Sequence, residues 1–314
     1  MNISIIQLEY LIALDRYRHF VKAAEACFVT QPTLSMQIKK LEDELGVKLF
    51  DRSKQPVIPT DVGVLIIEQA RRIINETKKI ENILIEFKGE VSGELVIGII
   101  PTVSPYLMPY LISEISRNYP QLKLKVRELF TEDIITQLQK DNLDVGIVAT
   151  PLHEDGLIEK PVYYEGFKIY MNPSHPHYGE RKVAANHLFD DKLWLLSEGN
   201  CFRNQAINLC SIDARDNKHL AFDYESGSLE TLKRIVDLEG GATVLPEWAS
   251  EQMCSGTKEH IREFADSKAV REISIVYTRN FAKARLLKVL FELISASVPK
   301  HMLENSSAEI VEIM

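Results

Sequence analysis

The chain has 314 residues, 45% of them hydrophobic, and a formal net charge of −8, enough apolar content for two or three cored domains. No apolar run reaches membrane-spanning length, and Met1-Asn2-Ile3 leads straight into structured-looking sequence without a basic leader or cleavage site, so neither a membrane span nor export is expected. Four cysteines in a chain of this length make no disulfide framework and fit a reducing cytoplasm, where a disulfide is transient.

From Ile5 to Tyr17, apolar residues at Ile5, Leu8, Leu11, Ile12 and Leu14 form a helical stripe. Phe20 to Phe28 predicts a short helix with small residues on its packing side. Val29-Thr30-Gln31 breaks it, and Pro32 opens a third helix that runs to Leu45, with Leu34, Ile38, Leu41 and Leu45 inward and Gly46 at its end. This is a helix-turn-helix, in which Ala23 and Ala24 allow close crossing and the polar second helix suits a major groove. Gln31, Thr33, Ser35 and Gln37 can read base edges, whereas Lys39, Lys40, Arg52 and Lys54 can meet phosphates. Charge alone does not announce this role: residues 1–90 hold thirteen Lys/Arg against thirteen Asp/Glu, and the remainder twenty-four against thirty-two. Lys48 to Arg52 and Val57 to Thr60 predict a two-stranded basic wing. Thr60 then caps a long helix, Asp61 to about Phe87, striped by Val64, Ile67, Ala70, Ile74, Thr77, Ile80 and Leu84. Such a helix carries more apolar surface than a small winged domain covers, so pairing with a second copy is expected.

Ser92-Gly93 marks a boundary. Beyond it, strands at Glu94–Ile100, Leu122–Arg127 and Val145–Ala149 alternate with helices at Pro105–Asn118 and Glu132–Lys140, a βαβαβ order that predicts a doubly wound parallel sheet. Thr102, at the carboxyl end of the first strand, is either a ligand contact or a plain helix cap. From Tyr163 the pattern is less regular. Strands are expected at Phe167–Met171, Leu193–Leu196, Gly241–Leu245 and Arg271–Tyr277, and helices at Leu229–Leu238 and Ala284–Ala296. The order implies two α/β lobes with a late return to the first: lobe I over 92–163 and 268–300, lobe II over 164–267. Residues 1–60 form the winged domain and 61–91 the linker. The tail, 301–314, is expected to be loosely attached, with Asn305-Ser306-Ser307 as a break.

Cys201 and Cys210 bracket a helix-forming segment after the turn Gly199-Asn200. Nine residues of continuous helix turn through roughly 900°, which sets the two thiols on opposite faces about 13 Å apart. A disulfide needs Cα atoms within about 7 Å. Pairing would therefore require the segment to refold, making it a switch; the alternative is two buried apolar side chains. Cys27 and Cys254 read as incidental. His175, His177 and His187 lack tight ligand spacing, so no metal site is expected. No phosphate-binding glycine loop or Gly-x-Ser-x-Gly elbow occurs, and no cofactor is expected.

The stretches Phe20 to Arg52, Pro101-Thr102 through Leu107-Met108-Pro109, and Gly240 to Pro246 together resemble the LysR-type transcriptional regulators over nearly the whole chain. Within that family Ile100 to Leu107, Gly199 to Cys210 and Ser228 to Leu232 are similar to the peroxide-sensing members. That resemblance implies a winged helix-turn-helix, a linker helix and a two-lobed, periplasmic-binding-protein-like regulatory domain. It implies a peroxidatic thiolate at Cys201, a resolving thiol at Cys210 and a pocket of Thr102, Thr131, Arg271 and Asn200, with hydrogen peroxide as input. Arg203 is a further cation near the thiol. The implied partners are double-stranded DNA, a second copy of the chain and, through the family, a tetramer and RNA polymerase. A glutathione or glutaredoxin reductant fits the compartment. Two departures stand out: Asn200 where the pattern has histidine, and Asn204 where it has aspartate. A different reading, a small metabolite held between the lobes, uses the same domain without thiol chemistry. A thiol-dependent enzyme would have no use for a groove-reading helix.

Overall fold

The computed structural model describes residues 2–88, 91–189, 192–210, 227–279, 281, 283–304 and 308–311. The chain divides into two compact units, Met1–Phe87 and Lys88–Met314.

In the first unit, helix α1 (Ile5–Tyr17) begins with a reciprocal cap. The Ser4 hydroxyl accepts from Gln7 N–H while the Gln7 side chain accepts from Ser4 N–H. Helix α2 (Phe20–Ala26) turns the fully buried Ala23 and Ala24 into the core. Thr30 caps α3 (Gln31–Leu45), Pro32 lies in its first turn, and Gly46 at φ 69° ends it in the left-handed conformation that glycine adopts without a steric penalty. Leu8, Leu11, Leu14, Leu34, Ile38 and Leu41 fill the space between these three helices. Strands β1 (Phe50–Asp51) and β2 (Ile58–Pro59) pair antiparallel as the wing. Glu42, 1% exposed, ties the wing to α3: its carboxylate accepts from Leu49 N–H at 2.9 Å, Phe50 N–H at 3.3 Å and Arg52 Nη2 at 3.0 Å.

Helix α4 (Asp61–Lys88) is 28 residues long, about 42 Å at 1.5 Å per residue. Among the described residues, Ile67 and Ala70 are buried in the core, and Ile66 and Ile74 pack against it. Farther along, Ile80, Ile83, Leu84 and Phe87 are more than half exposed.

The second unit opens with β3 (Gly93–Ile99), α5 (Ser104–Asn118), β4 (Leu122–Glu128), α6 (Thr131–Gln139) and β5 (Val145–Thr150). Strand β3 runs parallel to both β4 and β5, as the βαβαβ pattern predicts. Strand β6 (Leu157–Met171) follows, longer than the Phe167–Met171 strand predicted. Next come β7 (Lys182–Val183), a 3-10 helix (Ala185–Phe189), β8 (Leu193–Trp194), α7 (Cys201–Cys210) and α8 (Leu229–Glu239). The chain then forms β9 (Ala242–Pro246), α9 (Glu247–Glu251), α10 (Ser255–Lys258), β10 (Ile261–Phe264), β11 (Val270–Thr278) and α11 (Ala284–Ser297).

The sheet order is β4-β3-β5-β11-β6-β10-β7, with β9 joining β6 and β8. Strand β11 is antiparallel to both β5 and β6, so the sheet is mixed rather than wholly parallel. The N-terminal half of β6 pairs with β11, and its C-terminal part pairs with β9 and β10. One strand therefore belongs to both lobes, and residues near Glu165 lie where they meet. At Gly241, φ is 85° and a Cβ would come within 2.1 Å of Lys192 O, so only glycine serves this entry to β9.

The expectation of a loose tail fails for residues 308–311. Val270 N–H donates to Glu309 O and Val311 N–H to Val270 O, each at 2.9 Å, adding a short parallel bridge beside β11. The Asn305-Ser306-Ser307 break lies outside the described residues.

Candidate functional site

Gly199, at φ 82°, turns the chain into α7, and Asn200 follows with its Oδ1 accepting from Phe202 N–H at 3.1 Å. Cys201 is the first residue of the helix, where the positive end of the helix dipole favours an anion. Cys210 is the last residue of the same helix. Both thiols are buried, at 6% and 4% exposure, and all four cysteines are unpaired. The helix runs unbroken between them, so the opposed thiols predicted from the nine-residue spacing belong to this packing.

Arg271 lies opposite Glu165 in the β11–β6 ladder, which puts both side chains on one face. Its guanidinium is fully buried, and four hydrogen bonds hold it. Nε and Nη2 donate to Glu165 Oε1 at 2.9 and 2.7 Å, Nη1 to Thr102 Oγ1 at 2.9 Å, and Nη2 to Thr102 O at 3.3 Å. It also stands 4.9 Å over the Phe202 ring, which stacks on Phe167 at 5.5 Å. The residue after Cys201 thus locks the helix start against the buried cation.

Thr131, at the start of α6, completes the surroundings. Its Oγ1 is buried without a partner in good hydrogen-bond geometry, as is Asn200 Nδ2. Burial pushes the Cys201 thiol above its ordinary range. The Arg271 charge pulls it back first, then the Thr131 hydroxyl beside it and the backbone N–H groups of Phe202 and Cys201, without overcoming burial. Burial, reinforced by Asp266, holds Cys210 more firmly, pushed up to about 12. Burial likewise raises the Glu165 carboxyl, opposed chiefly by Arg271.

The raised thiols make alkaline pH destabilising. A folded-state pKa above the unfolded value of 9.0 gives stability that is fully present below pH 9 and lost as pH rises towards 12. Urea unfolding of the reduced full chain at pH 8 and pH 10 is expected to show a larger loss than the Cys210→Ala variant, by about 1 kcal/mol. Equal losses in the two proteins would show that Cys210 does not ionise differently on unfolding.

Sequence reasoning named Thr102, Thr131, Arg271, Asn200, Cys201 and Cys210. Arg271 holds Thr102, the Arg271 charge and the Thr131 hydroxyl act on Cys201, Asn200 directly precedes it, and Cys210 stands at the far end of α7. Sequence reasoning missed Glu165, the counter-ion that makes a buried Arg271 tolerable; only the cross-strand register identifies it. Arg203, expected as a second cation for the thiol, instead donates to Leu196 O at 2.9 Å. Gln205, 0% exposed, was also missed. Its Nε2 donates to Val311 O at 3.1 Å, so the tail bridge beside β11 pins the middle of α7. Truncation after Glu304 removes that bond and the Val270 pairs. Local opening of α7 should become easier by about 1–2 kcal/mol, read as roughly 5–30-fold faster amide hydrogen exchange there. Unchanged exchange in α7 would show that the tail carries no restraint.

In the first unit Gln31, Lys39, Lys40 and Lys54 are exposed and Thr33, Ser35 and Gln37 half-buried. Gln37 accepts from Gln7 Nε2 at 3.4 Å, and Thr33 and Thr30 share a hydroxyl contact at 2.8 Å. Arg52, expected on phosphate, holds Glu42 and stands 5.2 Å over the Phe20 ring, so its charge already has a partner. Met36, 60% exposed on α3, and Phe28, 96% exposed in the turn before it, were not picked out from the sequence.

A helix-turn-helix with a wing, a long helix with an uncovered apolar face, and a two-lobed α/β unit define a DNA-binding regulator with its own effector domain. Residues 5–64 match the model of the bacterial regulatory helix-turn-helix proteins of the LysR family, and residues 88–299 that of the LysR substrate binding domain. The chain belongs to the LysR family. It is 38% identical over 280 residues to the hydrogen peroxide-inducible genes activator of Haemophilus influenzae, covering 88% of this chain and 90% of that protein. Its fold is similar to full-length OxyR from Pseudomonas aeruginosa carrying a cysteine-to-aspartate substitution, with TM-score 0.74, 34% identity and coverage of 94% and 98%. It is also similar to a hydrogen-peroxide-bound cysteine-to-serine mutant of OxyR from Corynebacterium glutamicum, with TM-score 0.62, 27% identity and coverage of 95% and 93%. Among the described residues no helix is long and apolar enough to cross a membrane.

Proposed function

We propose that the chain is a peroxide-responsive transcription activator whose input is oxidation of Cys201 and whose output is a change in how paired DNA-binding units meet a promoter. One observation carries this reading: a buried thiol at a helix start, with the Arg271 charge and the Thr131 hydroxyl beside it and the buried Asn200 amide preceding it, and a second thiol ending the same helix.

The Cys201 thiolate attacks one peroxide oxygen; the O–O bond breaks, Cys201 becomes a sulfenic acid, and the departing hydroxide takes a proton to leave as water. Arg271 and the α7 N-terminus favour the thiolate, and the Thr131 hydroxyl and the unpartnered Asn200 amide can orient peroxide by hydrogen bonds. The Cys210 thiolate then attacks the sulfenic sulfur, the S–O bond breaks, a second water leaves, and a disulfide forms. Two thiols and one peroxide thus give one disulfide and two waters. Thiols about 13 Å apart on a helix cannot meet, so α7 must unwind for the second step. Reduction by two glutathione thiols, which leave as glutathione disulfide, or by a glutaredoxin dithiol resets the site in the cytoplasm.

Gln31, Thr33, Ser35 and Gln37 are the base-reading candidates, and Lys40 and Lys54 the phosphate contacts; Arg52 acts through Glu42 on the wing. The exposed apolar face of α4 pairs two chains, two such pairs make a tetramer, and the oxidised form engages RNA polymerase. Duplexes selected from a random pool by the reduced full chain test this directly. Footprinting them with and without one equivalent of peroxide is expected to give protected segments of different extent. The same footprint in both states would sink the proposal.

A further inference from the structure

The spacing of His177 and His187 argued against a metal site, yet the fold brings them together. The turn before β7 sets His177 and Glu180 side by side, with Glu180 N–H donating to His177 O at 3.0 Å and His177 Nδ1 2.8 Å from Glu180 Oε1. After β7 the chain folds into the 3-10 helix, whose first N–H, from Ala185, donates to the Asp266 carboxylate at 3.1 Å. That helix carries His187 back over His177, with ring centroids 4.1 Å apart and planes 13° from parallel. One donor atom from each of His177, Glu180 and His187 lies within 4.8 Å of the other two. His187 Nδ1 is buried without a hydrogen-bond partner, a cost that needs compensation.

We propose that His177, Glu180 and His187 form a binding site for a first-row divalent cation of the zinc class. Two imidazoles and one carboxylate are the nitrogen and oxygen donors such ions take, and water completes the shell. Bonds of about 2.0–2.2 Å to a central ion place donors roughly 3.3 Å apart. Side-chain rotation alone closes the set from its present spacing, because Glu180 is exposed and both histidines are half-exposed. The turn itself is held in place, since Arg262 Nε donates to Tyr178 O at 2.9 Å. The 3-10 helix packs against α7, so an occupied site buttresses the element that the thiol switch must unwind.

The test is titration of the reduced full chain with Zn2+ by calorimetry and with Co2+ by absorption, alongside His187→Gln and Glu180→Gln. The wild type is expected to bind one equivalent, with visible cobalt bands of nitrogen and oxygen ligation and no thiolate-to-cobalt band. His187→Gln should weaken binding by more than about a hundredfold, beyond the roughly 10–100-fold that outer-shell losses cost, and the exposed Glu180→Gln by about tenfold. Circular dichroism checks that both variants fold. No saturable binding, binding equal in all three proteins, or a thiolate band placing the ion on cysteine would each overturn the proposal.

Discussion

Arg271→Met is expected to destabilise the regulatory unit by about 3–5 kcal/mol, because it strands a buried charge. Glu165 is 1% exposed and would keep only the Trp248 N–H at 3.2 Å for its second oxygen. The Thr102 hydroxyl would lose its donor, and the Phe202 face its cation. The double variant Arg271→Met/Glu165→Met removes both charges and replaces them with apolar volume, so it should recover most of the loss. Denaturant unfolding of the wild type, the two single variants and the double variant measures the coupling. A double variant no more stable than the singles would refute the pairing as the source of the cost. The double variant still lacks the cation nearest the Cys201 thiol. It should therefore fold yet react with peroxide more slowly than wild type, which separates the structural role of Arg271 from its electrostatic one.

Cys210→Ser is expected to abolish the intramolecular disulfide while leaving the first oxidation intact. The groups that act on Cys201 (Arg271, Thr131 and the backbone of the α7 start) do not include Cys210, at the other end of the helix. The sulfenic acid should then persist, trappable by a dimedone-type probe, where the wild type shows only a transient signal. Serine fits the volume but offers no nucleophile near neutral pH. Because Cys210 is pushed up to about 12 while packed, its thiolate becomes available only once α7 opens. The wild-type second step should thus track the opening of α7 rather than peroxide concentration. A Cys210→Ser protein that still forms an internal disulfide, by way of Cys27 or Cys254, would overturn the assignment of the resolving thiol.

Much of this was legible in the sequence where period and caps agree. Thr30, Pro32 and Gly46 bound α3 within a residue of its observed ends, and the alternation from Gly93 to Thr150 gave the βαβαβ half directly. Strand β6 was only half visible. Its first part, Leu157 to Gly166, mixes Glu159, Lys160, Pro161 and Glu165 with apolar residues, because a strand shared between lobes has no single buried face. Glu165 was hidden for that reason: its partner Arg271 is more than a hundred residues away and only strand register joins them. The three-member cluster of His177, Glu180 and His187 was hidden by a 3-10 helix that periodicity does not signal. The docked segment around Glu309 and Val311 is too short to read as a strand, and its attachment rests on backbone groups that any sequence carries.

The measurement that tests the central claim most directly is peptide mapping of the reduced full chain after one equivalent of hydrogen peroxide for seconds, with free thiols blocked at once. The account predicts a linked peptide pair joining Cys201 to Cys210, with Cys27 and Cys254 blocked as thiols. Cys201 and Cys210 both recovered as blocked thiols, in protein that still binds DNA, would contradict it and return the effector to a small molecule held between the lobes.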